Sequence, residues 1–189
     1  MVLCCVLFGA GCASTAAGEA VSSSSRTGDE YADGLYTNHD AGFRLTLPRT
    51  WLMYESEAKM PADAQRYARV LRENGAEMIF VAESADRKAF MRGIVEPAGL
   101  GLSEYFQRIE QANRKELLTS RHELTALNGE PGVRWLYDSQ SGGTRLTFLE
   151  FQFHRMRNNV RISLWTHASL FAGREQEFEA IMKSFTAGD

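Results

Sequence analysis

The chain has 189 residues, 44% hydrophobic and 24% charged, with a formal net charge of −3, which is the composition of an ordinary globular protein. So mild an acidity gives no electrostatic footprint for nucleic acid. All three cysteines, Cys4, Cys5 and Cys12, fall within the first twelve residues. A disulfide framework, a zinc-thiolate site and a cysteine nucleophile are therefore excluded from the rest of the chain.

The run Met1-Val2-Leu3-Cys4-Cys5-Val6-Leu7-Phe8 is apolar and carries no charge. It is too short to span a bilayer, which takes about 20 apolar residues, and has the length of a secretory leader. With Gly9-Ala10-Gly11 before Cys12, it resembles the bacterial lipobox, Gly9 standing where Leu is usual. The resemblance implies a signal peptide over 1–11, removed with Cys4 and Cys5, and a mature lipoprotein beginning at Cys12. It also implies a membrane anchor of diacylglyceryl and palmitate-type acyl chains on Cys12, since one chain alone holds a protein only marginally. Ala13 and Ser14 lack the aspartate that retains such proteins in the inner membrane, so the periplasmic face of the cell outer membrane is the implied address. An ordinary cleaved signal and an incidental apolar terminus are the alternatives.

From Cys12 to Gly34 the chain is rich in Ala, Ser, Thr and Gly, with the run Ser22-Ser23-Ser24-Ser25, which reads as a flexible tether. Residues 35–187 have the length of a single domain. Phe43, Leu45 and Leu47 alternate with Arg44 and Thr46 as a half-buried strand stopped by Pro48. From Pro61 the pattern turns helical, with Ala64, Tyr67, Ala68 and Leu71 on one stripe and Asn74-Gly75 as the stop. Met78 to Ala82 and Phe90 to Val95 read as strands, and Ser103 as the cap of a helix whose inner side holds Phe106, Ile109 and Asn113 to Leu117. Turns at Asn128-Gly129, Ser141-Gly142-Gly143-Thr144 and Asn158-Asn159 join four strands, and Phe178, Ile181, Met182 and Phe185 mark a final helix. The order predicts an α+β domain with a mostly antiparallel sheet flanked by helices.

Tyr36-Thr37-Asn38, then Gly42-Phe43-Arg44-Leu45-Thr46-Leu47-Pro48-Arg49-Thr50-Trp51, resembles the opening strand of PsbP-like and DcrB-like domains. Phe178-Glu179-Ala180-Ile181-Met182-Lys183-Ser184-Phe185 is similar to their terminal helix. The resemblance implies a helix/sheet/helix sandwich that binds or organises a protein partner or small ligand and does not catalyse. Fold analogy alone assigns no chemistry.

The turns also set an expected register. Asn158-Asn159 places Glu150 opposite His167, Gln152 opposite Trp165 and His154 opposite Ser163. Gly142-Gly143 places Trp135 opposite Glu150 and Tyr137 opposite Phe148, and Asn128-Gly129 places His122 beside Trp135. All fall on one sheet face, while Leu136, Leu149, Phe151, Phe153, Ile162 and Leu164 line the other as core. Strands about 4.8 Å apart would let Glu150 touch His167 while His122 stays about 10 Å from Glu150 across Trp135. The alternative function is an envelope metal-binding protein or enzyme using His122, Glu150 and His167, although a zinc site needs three or four ligands about 2.0–2.3 Å from one ion and this row supplies at most two adjacent ones. The remaining readings are a cross-strand contact packed under a helix or at a wet edge, and a shallow ligand groove of Trp135, Tyr137, Glu150, Gln152, His154, Trp165 and His167.

No phosphate loop is present, no nucleophile elbow surrounds Ser139, Ser141 or Ser163, and no cofactor motif is found. Glu73, Glu77 and Glu83 cannot be paired as glycosidase acids from sequence. Arg155, Arg157 and Arg161 surround Asn158-Asn159. They read as a solvated hairpin tip guarding a sheet edge, or as a patch for anionic headgroups.

Overall fold

A computed structural model describes residues 29–188. The expected leader, Cys12 and most of the expected tether lie outside the described residues. In chain order the elements are β1 (Asp29–Ala32), β2 (Leu35–Asn38), β3 (Phe43–Thr46), β4 (Trp51–Tyr54), α1 (Ala62–Glu73), β5 (Glu77–Ser84) and β6 (Ala89–Pro97). There follow α2 (Leu102–Asn113), β7 (Leu117–Leu127), β8 (Glu130–Ser141), β9 (Thr144–Arg155), β10 (Asn158–His167), α3 (Phe171–Lys183) and β11 (Thr186–Ala187).

Two antiparallel sheets form: a small one in the order β1-β2-β3-β11, and a seven-stranded one in the order β4-β5-β6-β10-β9-β8-β7. The small sheet and α3 cover one face of the large sheet. There Tyr36, Phe43 and Leu45 meet Phe151, Phe153 and Ile162, and Phe178, Ile181 and Phe185 of the C-terminal segment close the core. The opposite face is covered by α1 over Met78, Val81 and Ile94, and by α2 over Val133, Trp135 and Phe148. This is the expected α+β sandwich.

Several elements depart from the sequence expectation. Residues 29–32, expected in the tether, form β1, which pairs with β2 across Asp33 and Gly34 at φ 51° and 84°. Asp-Gly is the residue pair that a two-residue hairpin with both φ positive requires. The second helix begins before Ser103: its N-cap is Gly101, whose carbonyl accepts from Tyr105 N at 2.8 Å, and no side chain caps it. The first helix ends as expected, with Asn74 as C-cap and Gly75 at φ 78°.

The turns at 128–129 and 142–143 stand where the sequence places them, with positive φ at all four residues. The last hairpin turns instead at Met156-Arg157, with Arg155 opposite Asn158. Asn159 belongs to the strand: it is buried, and its Oδ1 lies 3.2 Å from His154 Nδ1. In this turn Met156 stands at positive φ, at 54°.

Candidate functional site

The mixed face is built by cross-strand rows. In one, Arg92 of β6, Ser163 of β10, Glu150 of β9 and Trp135 of β8 stand side by side, and His122 of β7 ends the row. In the next lie Ile94, Arg161, Gln152 and Val133. The Trp135–Glu150, Tyr137–Phe148 and His122–Trp135 pairings match the sequence expectation. The β9–β10 pairings do not: Glu150 faces Ser163 and not His167, Gln152 faces Arg161 and not Trp165, and His154 faces Asn159 and not Ser163. Moving the turn to Met156-Arg157 slides each partner by four residues, an even step, so every side chain keeps its face.

An aromatic ladder crosses the same face. Trp135 stacks on Tyr137 at 3.9 Å, Tyr137 on Phe148 at 4.8 Å, Phe148 on Trp165 at 5.7 Å, and Trp165 on Phe90 at 5.7 Å. Phe106 of α2 meets Trp135 edge-on at 5.4 Å. Trp135, Tyr137 and Trp165 are buried, so the expected shallow groove is covered by α2 and is not an open stacking surface.

Between the two helices the face is polar. Glu150, 1% exposed, accepts at Oε1 from Gln152 Nε2 and at Oε2 from Ser163 Oγ, both at 2.6 Å. The Arg92 guanidinium lies 5.0 Å from the Tyr67 ring and 5.4 Å from the Trp165 ring, a cation held against two π faces. Glu96, at the edge of the seam, accepts from the Tyr105 hydroxyl and from Arg108.

The ionisation of the seam follows from this packing. Burial pushes the Tyr137 phenol far above its ordinary value, and the Glu150 carboxylate adds to the effect. Burial acts likewise on Tyr105, reinforced by Glu96. For Arg161, burial pulls the pKa down, but Tyr105, Glu150, Tyr67 and Glu96 together raise it above arginine's usual value. The guanidinium thus stays charged inside the fold.

The remaining sequence candidates disperse. His122 is half exposed, its ring centroid 4.4 Å from that of Phe106 and its Nδ1 3.9 Å from Glu110. His167, opposite Leu146, is exposed and bonds Ser169 Oγ at 2.8 Å. His122, Glu150 and His167 therefore do not converge, and among the described residues no group of three or more His, Cys, Asp or Glu could hold a metal ion.

The expected arginine tip also comes apart. Arg155 donates to the carbonyls of Gly42 and Gly188, Arg157 is exposed, and Arg161 is buried in the seam because the turn precedes it by four residues. Arg92, Tyr67 and Tyr105 complete the polar seam and were not among the sequence candidates. The signal available for Arg92 was a lone cation within the apolar run from Phe90 to Val95.

An open groove of about 650 Å³ lies elsewhere, between the β7–β8 hairpin and α3, lined in part by Arg121, Glu123, Arg134, Glu175, Glu179 and Lys183. Its Arg134 is already paired with Glu179 at 2.5 Å and Glu123 at 3.4 Å. Among the described residues no helix is long and apolar enough to cross a membrane.

No protein-family model and no curated protein matches the sequence. Among solved structures, the chain is similar to cyanobacterial PsbP (CyanoP) from Synechocystis sp. PCC 6803, at 13% identity and a TM-score of 0.54, over 88% of this chain and 98% of that one. A protein of unknown function from Pseudomonas aeruginosa aligns at 14% identity and a TM-score of 0.47, over 82% and 96% of the two chains. LpqN of Mycobacterium tuberculosis, described as involved in cell envelope biogenesis, aligns at 12% identity and a TM-score of 0.45, over 78% and 83%. The first of these likenesses, together with the two antiparallel sheets and three α-helices, gives the fold: the described residues have a PsbP-like α+β fold.

Proposed function

We propose that this chain is a lipid-anchored, non-catalytic cell-envelope protein whose PsbP-like domain binds or organises a protein partner or a small ligand. The observation that carries the reading is the placement of Cys12. It is the only cysteine beyond the apolar leader, and a Ser- and Ala-rich segment separates it from a cysteine-free domain. Acylation there holds the domain at the periplasmic face of the outer membrane. The non-catalytic part of the reading is supported by the dispersal of His122, Glu150 and His167, each of which is engaged by a different neighbour and not by the other two.

The reading is tested by affinity capture of the anchored chain from detergent-solubilised envelope. A stoichiometric protein or a co-purifying small molecule is expected. Recovery of the chain alone, with its lipid anchor intact, would sink the binding role.

A further inference from the structure

Arg92 and Arg161 stand on neighbouring strands of one sheet face. Arg92 lies opposite Ser163, and Arg161 precedes Ser163 by two residues on β10. Such diagonal neighbours have backbone positions about 7–8 Å apart, so two arginine side chains can meet over one small group. Both are almost sealed from solvent, at 4% and 3% exposure. Among the described residues no carboxylate lies within ion-pair distance of either guanidinium.

The acids on this face are already engaged: Glu83, a buried diagonal neighbour of Arg92, accepts from the Tyr54 hydroxyl at 3.0 Å and lies 3.8 Å from Arg87 Nε. Both Glu150 oxygens accept from Gln152 and Ser163, and the Glu96 oxygens accept from Tyr105 and Arg108. What is left over is a set of donors: Nε of Arg92, and Nε and one terminal nitrogen of Arg161, are buried and have no hydrogen-bond partner, as is the acceptor Oε1 of Gln152. Flipping the Gln152 amide would turn its oxygen toward the Glu150 carboxylate, so the acceptor stays free.

With Glu83 beside Arg87 and Glu96 paired to Arg108, two guanidiniums against the Glu150 carboxylate leave one positive charge in a wall of Tyr67, Tyr105 and Trp165. An unpaired buried cation is costly. The partner that best answers a guanidinium is an oxyanion taken by parallel N–H bonds.

We propose that the seam between α1 and α2 is a binding site for a small oxyanion, the carboxylate or phosphate group of a metabolite-sized ligand, held between Arg92 and Arg161. Gln152 Oε1 accepts from a hydroxyl or N–H beside that group. The ligand reaches the seam between the two helices, which pack separately, α1 on β5 and α2 on β8 and β9. The site rests on the small-ligand branch of the function proposed above and gives that ligand its chemical class.

The test follows the arginine Nε–Hε resonances of the full chain, in non-ionic detergent, during titration with sodium acetate or inorganic phosphate against sodium chloride at matched ionic strength. Saturable movement of the Arg92 and Arg161 signals with one of the two oxyanions, and not with chloride, is expected, and which one saturates names the source. Arg161→Met should weaken binding at least tenfold. Glu150→Gln, which removes the competing negative charge and keeps the shape, should tighten it at least threefold. Absence of a saturable response to either oxyanion, or undiminished affinity in Arg161→Met, overturns the site. If Arg161→Met does not fold, an unchanged or weaker affinity in Glu150→Gln overturns it. Such a failure leaves envelope capture of a protein partner untouched, so the two readings fail separately.

Discussion

Ser163 of β10 donates a 2.6 Å hydrogen bond to Glu150 Oε2 of β9, and this buried pair ties the two central strands of the mixed face together. Replacing Ser163 with Ala leaves one carboxylate oxygen without its donor and is expected to cost about 1–3 kcal/mol in urea unfolding. Glu150→Ala removes a buried anion beside two buried cations and is expected to cost more, about 3–5 kcal/mol. The double variant should be no worse than Glu150→Ala alone, since the two residues act as one unit.

Asp138 gives a pH signature. Burial pushes its pKa up, but hydrogen bonds from Arg145 and Thr147, both at 2.5 Å, outweigh this and bring it below the ordinary carboxylate value. A carboxylate with a lowered folded pKa contributes stability that is present above its unfolded pKa, about 3.9, and is lost as pH falls through the folded value. Asp138→Asn should therefore be less stable than the parent at pH 7, by about 1–2 kcal/mol. Thermal unfolding in steps from pH 6 down to pH 2 should show the gap closing, and a gap that widens on acidification would contradict the assignment.

The corrected turn can be checked without a new structure. Met156 is exposed and sits at φ 54°, where a side chain is strained and glycine or asparagine is not. Met156→Gly or Met156→Asn should raise stability by about 0.5–1 kcal/mol. The same change at Asn158, an extended strand residue paired with Arg155, should give no such gain.

Gly93 marks a close approach inside the core. A Cβ there would overlap the Phe80 ring across the β5–β6 pair, where the register slips between Met78 and Phe80. Gly93→Ala is expected to destabilise by about 1–3 kcal/mol in chemical denaturation. Combining it with Phe80→Leu should recover part of that loss, since the obstacle is a side chain.

Most of the sheet was legible because glycine announced its turns. Asn128-Gly129 and Gly142-Gly143 fixed two hairpins, and with them the rows through Trp135 and Glu150. The third turn carries no glycine, and Asn158-Asn159 was the stronger local signal although it lies in the strand. The shift is even, so the core face of Leu149, Phe151, Phe153, Ile162 and Leu164 was read correctly while the Glu150 partner was not. Residues 29–32 form a four-residue strand with too little apolar alternation to stand out from a polar segment. Glu150 and Gln152 of the seam were legible, but the burial of Arg161 was not, for a different reason. A buried arginine looks like an exposed one until tertiary packing shows that Arg161 lies beneath two helices, and no local pattern predicts that.

The central claim is that Cys12 anchors the chain, and the most direct measurement is fractionation of Cys12→Ser beside the parent. The parent should partition with the outer-membrane pellet and carry the mass of an acylated cysteine, while Cys12→Ser should appear in the soluble periplasmic fraction with an intact domain. Persistence of Cys12→Ser in the pellet, or a parent chain without lipid on Cys12, would contradict the account.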